Sequence, residues 1–76
     1  MGIRGGTDVV DVALTTLIDS TTTAGYTYVG EATPGTPTSA AKWRISRITD
    51  ASGSVYFATG GDFDQVWDNR ASVSYS

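Results

Sequence analysis

The sequence predicts an all-β fold: a small antiparallel sheet, curled or sandwich-like, of about four to five strands with one short helical turn near the C-terminus. Thr, Val, Tyr and Ile, which favour strands, are abundant, and only 17% of the residues are charged. Apolar residues alternate with polar ones at the period of a half-buried strand. Nine glycines and two prolines, with Asp and Asn, separate these short runs. We divide the chain into an N-terminal arm over residues 1–6 and a single β-rich domain over residues 7–76.

The size of the chain indicates that it depends on partner subunits. A domain of 76 residues buries only about 60% of the surface that its unfolded chain exposes, so its stability is marginal. Small domains compensate with disulfides, a metal or oligomerisation. Because the sequence contains no Cys and no His, disulfides and zinc are excluded. We therefore expect no cofactor, and a homo-oligomer or a many-copy assembly.

The charge and hydropathy patterns argue against two further classes of partner. A net charge of −3 and a pI near 4.4 disfavour attraction to nucleic-acid phosphates. The most apolar stretch, residues 9–18, is far shorter than the ~20 residues of a membrane span, and the N-terminus has no apolar run typical of a signal peptide. We expect no nucleic-acid partner and no membrane partner.

The N-terminal half contains two predicted strands and a loop. Residues 7–20 alternate with Val10, Val12 and Leu14 on one face, although Leu14, Leu17 and Ile18 also fit one turn of helix. Residues 26–32 are aromatic and β-branched and form the second strand. Residues 33–39, with both prolines, form an exposed loop.

The third strand covers residues 42–49, with Trp43 and Ile45 on one side and Lys42 and Arg44 on the other. The alternation breaks at Arg47, which predicts either a bulge after Ser46 or a strand end that is covered on both faces. Residues 50–53 then connect this strand to residues 54–59 as a hairpin.

The C-terminal residues predict a helical turn and a last strand. Asp62 can cap a turn in which Phe63, Val66 and Trp67 share one face. Alternation over residues 71–76 predicts the strand. We expect Trp43, Phe57, Phe63 and Trp67 in the core, and Tyr26, Tyr28 or Tyr56 exposed or at an interface. We also expect ion pairs that join Arg44, Arg47 or Arg70 to Asp50, Asp64 or Asp68.

Catalytic and metal-binding motifs are weak. Nucleophilic catalysis needs a base such as His or Lys, and Lys42 fits an ordinary exposed strand residue better. Asp62, Asp64 and Asp68 could supply paired carboxylates or Ca²⁺ ligands, but helix capping explains them more simply, and they lack the spacing of a calcium loop. We expect no enzyme and no metal.

Several segments resemble one group of known proteins. They are Tyr28-Val29-Gly30-Glu31-Ala32, Pro34-Gly35-Thr36, Ser39-Ala40-Ala41-Lys42-Trp43-Arg44-Ile45 and Phe63-Asp64-Gln65-Val66-Trp67-Asp68-Asn69-Arg70-Ala71-Ser72-Val73-Ser74-Tyr75. The pattern resembles small structural proteins of tailed-bacteriophage virions and covers about two-thirds of the chain. The resemblance implies a virion component: a capsid decoration, neck, tail or fibre-associated subunit that contacts other virion proteins.

The residues expected at such contacts are Ile3, Arg4, Tyr26, Tyr28, Lys42, Arg44 and Tyr56. Tyr is frequent at the energetic centre of protein interfaces, and the charged side chains would set specificity. Strand addition at an open sheet edge is the second expected mode of contact. The alternative function is a carbohydrate or host-surface binding module in which exposed aromatic rings stack on sugars. A small glycosidase that uses Asp62, Asp64 and Asp68 is a third reading.

Overall fold

The computed structural model describes residues 13–76, which form one antiparallel sheet. Its strands are β1 (Thr15–Asp19), β2 (Tyr26–Ala32), β3 (Ala41–Thr49), β4 (Ser54–Phe57) and β5 (Gln65–Val66). The first four are neighbours in chain order, and β5 pairs with the start of β3 on the side that β4 occupies further along. Short 3₁₀ turns lie at Thr59–Gly61 and Trp67–Asn69. The predicted all-β antiparallel fold is confirmed.

The two faces of the sheet are very different. Residues that lie directly opposite each other in an antiparallel ladder point to the same face. The pairing therefore assigns Leu17, Tyr28 and Ile45 to one side, the front face, and Ile18, Val29 and Ile48 to the other, the back face. The C-terminal segment, residues 65–76, crosses the front face. No helix or second sheet of residues 13–76 covers the back face.

The core lies between the front face and the C-terminal segment. Its buried residues are Tyr28, Ala32, Trp43, Ile45, Ala58 and Trp67. The rings of Trp43 and Trp67 pack with centroids 6.1 Å apart, and the Trp43 indole donates a hydrogen bond of 2.9 Å to the Pro37 carbonyl. This bond ties the proline loop to the core. The predictions that Trp43 and Trp67 are core residues are confirmed.

Gly30 makes room for the Trp67 ring. A Cβ at this position would lie 2.4 Å from Trp67 Cε3 and 3.3 Å from Trp43 Cε3, although the glycine has ordinary strand geometry and no positive φ. Leu17 and Ile45 flank Gly30 on the neighbouring strands. The absence of a side chain at Gly30 leaves a gap in the front face, which we call the socket. The Trp67 ring fills it, and this fixes where the C-terminal segment lies.

The strand predicted over residues 7–20 is only partly confirmed, and its inward face is wrong. Within the described residues the strand runs from Thr15 to Asp19, and the predicted residues 7–12, with Val10 and Val12, lie outside the description. Leu14 is exposed, and Leu17 packs against the core while Ile18 faces solvent. Pairing of Leu17 with Gly30 over the core sets this register.

The other central predictions hold, except for the bulge. The second strand is Tyr26–Ala32 as predicted, and the hairpin over residues 50–53 is confirmed, with Gly53 at φ 73°. In β3, Trp43 and Ile45 are buried on one side as expected. Pairing continues without a shift from Ser46 through Thr49, so no bulge follows Ser46. The irregularity lies instead between Ala41 and Trp43, opposite β5.

The C-terminal predictions are confirmed in part. A short helical turn is present near the C-terminus, but it starts at Trp67, after β5 at residues 65–66, so Asp62 does not cap it, and no side chain accepts a capping hydrogen bond at its start. Residues 71–76 contain only an isolated bridge from Tyr75 to Ala58. Phe57 and Phe63 are exposed. The prediction for Phe57 is wrong because the next residue, Ala58, points to the front face and fills the core, so that Phe57 points to the back face.

The socket at Gly30 gives a stability prediction. Gly30→Ala should lower the free energy of unfolding by about 3 kcal/mol, because the new methyl group overlaps the Trp67 indole and overpacked cores are strained. Urea unfolding followed by Trp fluorescence measures the change. In a Trp67→Leu background the same substitution should cost much less. An equal cost in both backgrounds would show that the ring is not what the methyl group meets.

Candidate interaction surfaces

Arg47 lies at the centre of one row across the front face. It is directly opposite Tyr28 on β2 and Tyr56 on β4. Its guanidinium carbon lies 4.5 Å from the centroid of the Tyr26 ring and 4.9 Å from that of Tyr75. Cations at these distances are attracted to aromatic rings. We call these five residues the Tyr–Arg cluster, and it contains all four tyrosines of the chain.

The cluster is partly built into the core. Tyr28 is buried and its hydroxyl donates to Thr23 Oγ1 at 3.0 Å, and its ring lies 5.9 Å from that of Tyr75. The Tyr75 hydroxyl donates to the Arg70 carbonyl at 2.7 Å. Burial and the neighbouring Tyr28 raise the pKa of Tyr75 to about 12. Tyr28 and Tyr75 are therefore fixed, whereas Tyr56 is exposed.

Arg70 connects the C-terminal segment to the edge strand β1. Its Nε donates to Asp19 Oδ2 at 2.8 Å, one Nη donates to the Trp67 carbonyl, and the guanidinium carbon lies 4.6 Å from the Trp67 ring centroid. Asp19 also accepts hydrogen bonds from the backbone of Thr21 and Thr22 at its other oxygen. One arginine thus links β1, the following turn and the core indole.

The surroundings of Asp19 favour its ionised form. Hydrogen bonds from Thr22, Thr21 and Arg70, of which that from the Thr22 side chain contributes most, hold the pKa of Asp19 far below its usual range. A carboxyl whose pKa is depressed on folding stabilises the folded chain above the unfolded-state pKa of about 3.9, and this contribution is lost as the pH falls.

The predicted ion pairs of the arginines are wrong. Arg44 pairs with Glu31 across β2 and β3, and Arg70 pairs with Asp19. Arg47 makes no ion pair with any residue of 13–76. Of the expected acidic partners, Asp64 directly precedes β5 and Asp68 lies in the turn Trp67–Asn69, and both are exposed. Asp50 accepts a hydrogen bond from Thr27.

The back face is a band of apolar side chains on the solvent side. The pairing aligns Ile18 with Val29, and Ile48 with Val55. Ile18 is 70% exposed and Val55 is 50% exposed. At one end of the band, the Arg44 guanidinium carbon lies 5.7 Å from the Phe57 ring centroid and 5.1 Å from that of Phe63. The members of the band are Ile18, Val29, Ile48, Val55, Phe57 and Phe63.

The residues predicted from the sequence to make contacts differ in how exposed they are in the structure. Ile3 and Arg4 lie outside the described residues. Tyr56 and Lys42 are exposed as expected, while Tyr26 is half-buried. The expectation that Tyr28 is exposed is wrong, because the C-terminal segment covers it. Arg44 is half-buried on the back face and already paired with Glu31.

The weak catalytic and metal candidates do not come together. Lys42, Asp62, Asp64 and Asp68 are all exposed. In the described part of the chain no three acidic side chains are close enough to share a metal ion. Residues 13–76 also enclose no cavity for a small molecule, and they contain no helix long and apolar enough to cross a membrane.

Sequence reasoning missed the role of Arg47, although a signal was present. The break in alternation at residue 47 indicated an unusual position, because a charged residue stands where the front face requires an inward side chain. Its aromatic neighbours come from β2, β4 and the C-terminal segment. Only the fold brings these together.

Comparisons of the chain with models of protein families, with curated proteins and with solved structures found no match.

The depressed pKa of Asp19 gives a pH-dependent prediction. Asp19→Asn should lower the free energy of unfolding at pH 7. The loss should shrink as the pH falls from about 4 towards 2, because the stability that the ionised carboxylate of Asp19 contributes to the wild-type chain is lost in this range. Urea unfolding at a series of pH values measures it.

The exposed Asp62 supplies a matched control for this experiment. Asp62→Asn should change stability by less than about 0.5 kcal/mol at pH 7, as is usual for surface substitutions. A loss for Asp19→Asn that is the same at pH 2 and pH 7 would contradict the assigned pKa direction.

Proposed function

We propose that this chain is a structural subunit of a tailed-bacteriophage virion, present in many copies as a capsid decoration, neck or tail component, and that it acts by assembly without a catalytic step. The resemblance over residues 28–75 supplies the class of protein. The uncovered back face is the observation that carries the assembly mechanism. A repeated subunit needs a surface that gains free energy when a neighbour covers it, and the back face is such a surface.

Burial of the back face would be strongly favourable. Ile18 is 70% and Val55 is 50% exposed, and each would gain the corresponding part of the about 1.5 to 3 kcal/mol that full burial of such a side chain contributes. Scattered exposed apolar residues are ordinary, but a contiguous patch typically marks an interaction site. In the back face the strand pairing sets Ile18 beside Val29 and Ile48 beside Val55, and the two pairs meet diagonally at Val29 and Ile48, with Ser46 and Thr27 directly opposite these two residues.

The edge strand β1 offers a second mode of contact. It pairs with β2 on one side, and no strand of the described chain pairs with its other side. A free edge presents backbone N–H and C=O groups that can add a strand from a neighbour. Ile18 lies on this strand, so edge addition and coverage of the back face would extend one continuous contact. The proposed contacts of Ile3 and Arg4 fall on the residues outside the description.

The carbohydrate-binding reading depends on aromatic rings that are free to stack on sugars. Tyr28 is buried and hydrogen-bonded, so it cannot be the ring that binds. Tyr56, Phe57 and Phe63 are the exposed aromatic residues of the described chain that this alternative would use. Glycan binding that is lost in Tyr56→Ala, with folding intact, would favour this function over assembly.

A substitution on the back face tests the proposed function. Val55→Glu should reduce the number of copies in purified particles at least about tenfold, because an interface that buries an unpaired carboxylate loses more than 1.4 kcal/mol. The measurement is quantitative mass spectrometry of particles assembled with the variant, together with the mass of the free protein in solution.

Ala51→Glu adds the same charge at the exposed tip of the β3–β4 hairpin, away from the band, and should be incorporated normally. Equal incorporation of both variants would show that the back face is not the contact. A wild-type chain that is a stable monomer and is absent from the particle would overturn the function itself.

A further inference from the structure

Of the three arginines in residues 13–76, Arg47 alone lacks a carboxylate partner among these residues. Arg44 and Arg70 each stack against an aromatic ring and each bind a carboxylate, from Glu31 and Asp19 respectively. Arg47 stacks against two rings and has no carboxylate within residues 13–76. A half-buried cation normally has a counter-charge, because its removal from water costs free energy. Within residues 13–76 the positive charge of the Tyr–Arg cluster is therefore unmatched.

The guanidinium of Arg47 also keeps unused donors. Its Nε is buried and has no hydrogen-bond partner among the described residues, a condition that costs about 1 to 3 kcal/mol. The two Nη nitrogens are not among the fully buried atoms, and they make no hydrogen bond to residues 13–76. Tyr56 stands beside Arg47 in the β3–β4 pairing and is 41% exposed. Its hydroxyl makes no hydrogen bond within the described chain and belongs to a side chain on the same face of the sheet as Arg47.

We propose that the Tyr–Arg cluster binds a carboxylate on an acidic segment of a neighbouring protein subunit; this inference rests on the proposed function and names the partner's chemistry. Arg47 Nη groups donate to the carboxylate, and the Tyr56 hydroxyl donates beside them. Tyr26 and Tyr75 hold the guanidinium between their rings, so little conformational entropy is lost on binding.

A carboxylate fits the cluster better than the other classes of ligand. A neutral sugar could stack on Tyr56 but would leave the Arg47 charge unmatched. A nucleic acid brings many phosphates, and the net charge of −3 repels such a polyanion. A single acidic side chain matches one cation without that repulsion. Tyr and Arg are also the residues that most often dominate protein interfaces.

The test uses the full chain and two capped tripeptides, acetyl-Gly-Glu-Gly-amide and acetyl-Gly-Gln-Gly-amide. Nitrogen-15 NMR follows the Nε–H signals of the arginines as each peptide is added. The Glu peptide should shift the Arg47 signal saturably and the Gln peptide should not. Arg44 and Arg70, whose carboxylates are already in place, are internal controls.

Two variants separate binding from folding. Arg47→Lys keeps the charge and loses the planar fork, and should weaken Glu-peptide binding, followed for this variant by the backbone amide signals of Tyr56 and its neighbours, about tenfold. Tyr56→Phe removes only an exposed hydroxyl, and should weaken it about threefold with an unchanged amide spectrum. A flat titration, equal binding of both peptides, or a shift produced by neutral oligosaccharides in place of the Glu peptide would each overturn the proposal.

Particle incorporation distinguishes this inference from the function on which it rests. If wild-type chain is present in virions and Arg47→Lys is incorporated equally well, the carboxylate site is wrong while the assembly function stands. If the wild-type chain is absent from virions, the function fails, whatever the peptides show. Incorporation that falls for Arg47→Lys, with peptide binding as expected, supports both.

Discussion

The absence of a side chain at Gly30 determines how the rest of the chain packs. The sheet alone has no partner layer, so its front face must be covered by the segment that follows β5. That segment can approach only where the backbone of β2 is bare, and the Trp67 ring occupies this place. Once the indole is seated, Arg70 reaches Asp19 on β1 and Tyr75 reaches the ring of Tyr28. The edge strand and the C-terminal segment therefore depend on one glycine in the middle of the sheet.

Cationic side chains take the place of a second apolar layer. Arg70 lies over Trp67, Arg47 between two tyrosines, and Arg44 beside two phenylalanines. Guanidinium groups can do this because they are planar, weakly hydrated and rich in donors at their edges. Each covers aromatic surface that a chain of this size has too few residues to bury in any other way. The same arrangement keeps charged edges close to the surface, where neighbours can reach them.

The strands of the centre could be predicted from sequence because local preference and tertiary packing agree there. Residues 26–32 and 42–46 alternate, and the turn at residues 50–53 has Gly53 where a positive φ is needed. Prediction failed at the C-terminus because the helical spacing of Phe63, Val66 and Trp67 is also compatible with a short strand followed by a turn. Pairing with β3 decides between them, and local sequence does not record that pairing. The Tyr–Arg cluster was missed for the same reason, since its members are up to 49 positions apart, from Tyr26 to Tyr75.

The end of the chain changes what the two edges of the sheet can do. Ser76 exchanges two backbone hydrogen bonds with Phe57, of 3.2 and 3.1 Å, which occupy the outer side of β4 at that residue. The outer edge of β4 is therefore occupied at Phe57, whereas the outer edge of β1 is unpaired within residues 13–76. Growth of strands into a fibril requires both edges of every subunit, whereas a single free edge can be used only once. If the subunit assembles through β1, as proposed, the contact of Ser76 with Phe57 would hinder strand addition at the opposite edge, and pairing of two β1 strands would then give a closed contact between two subunits.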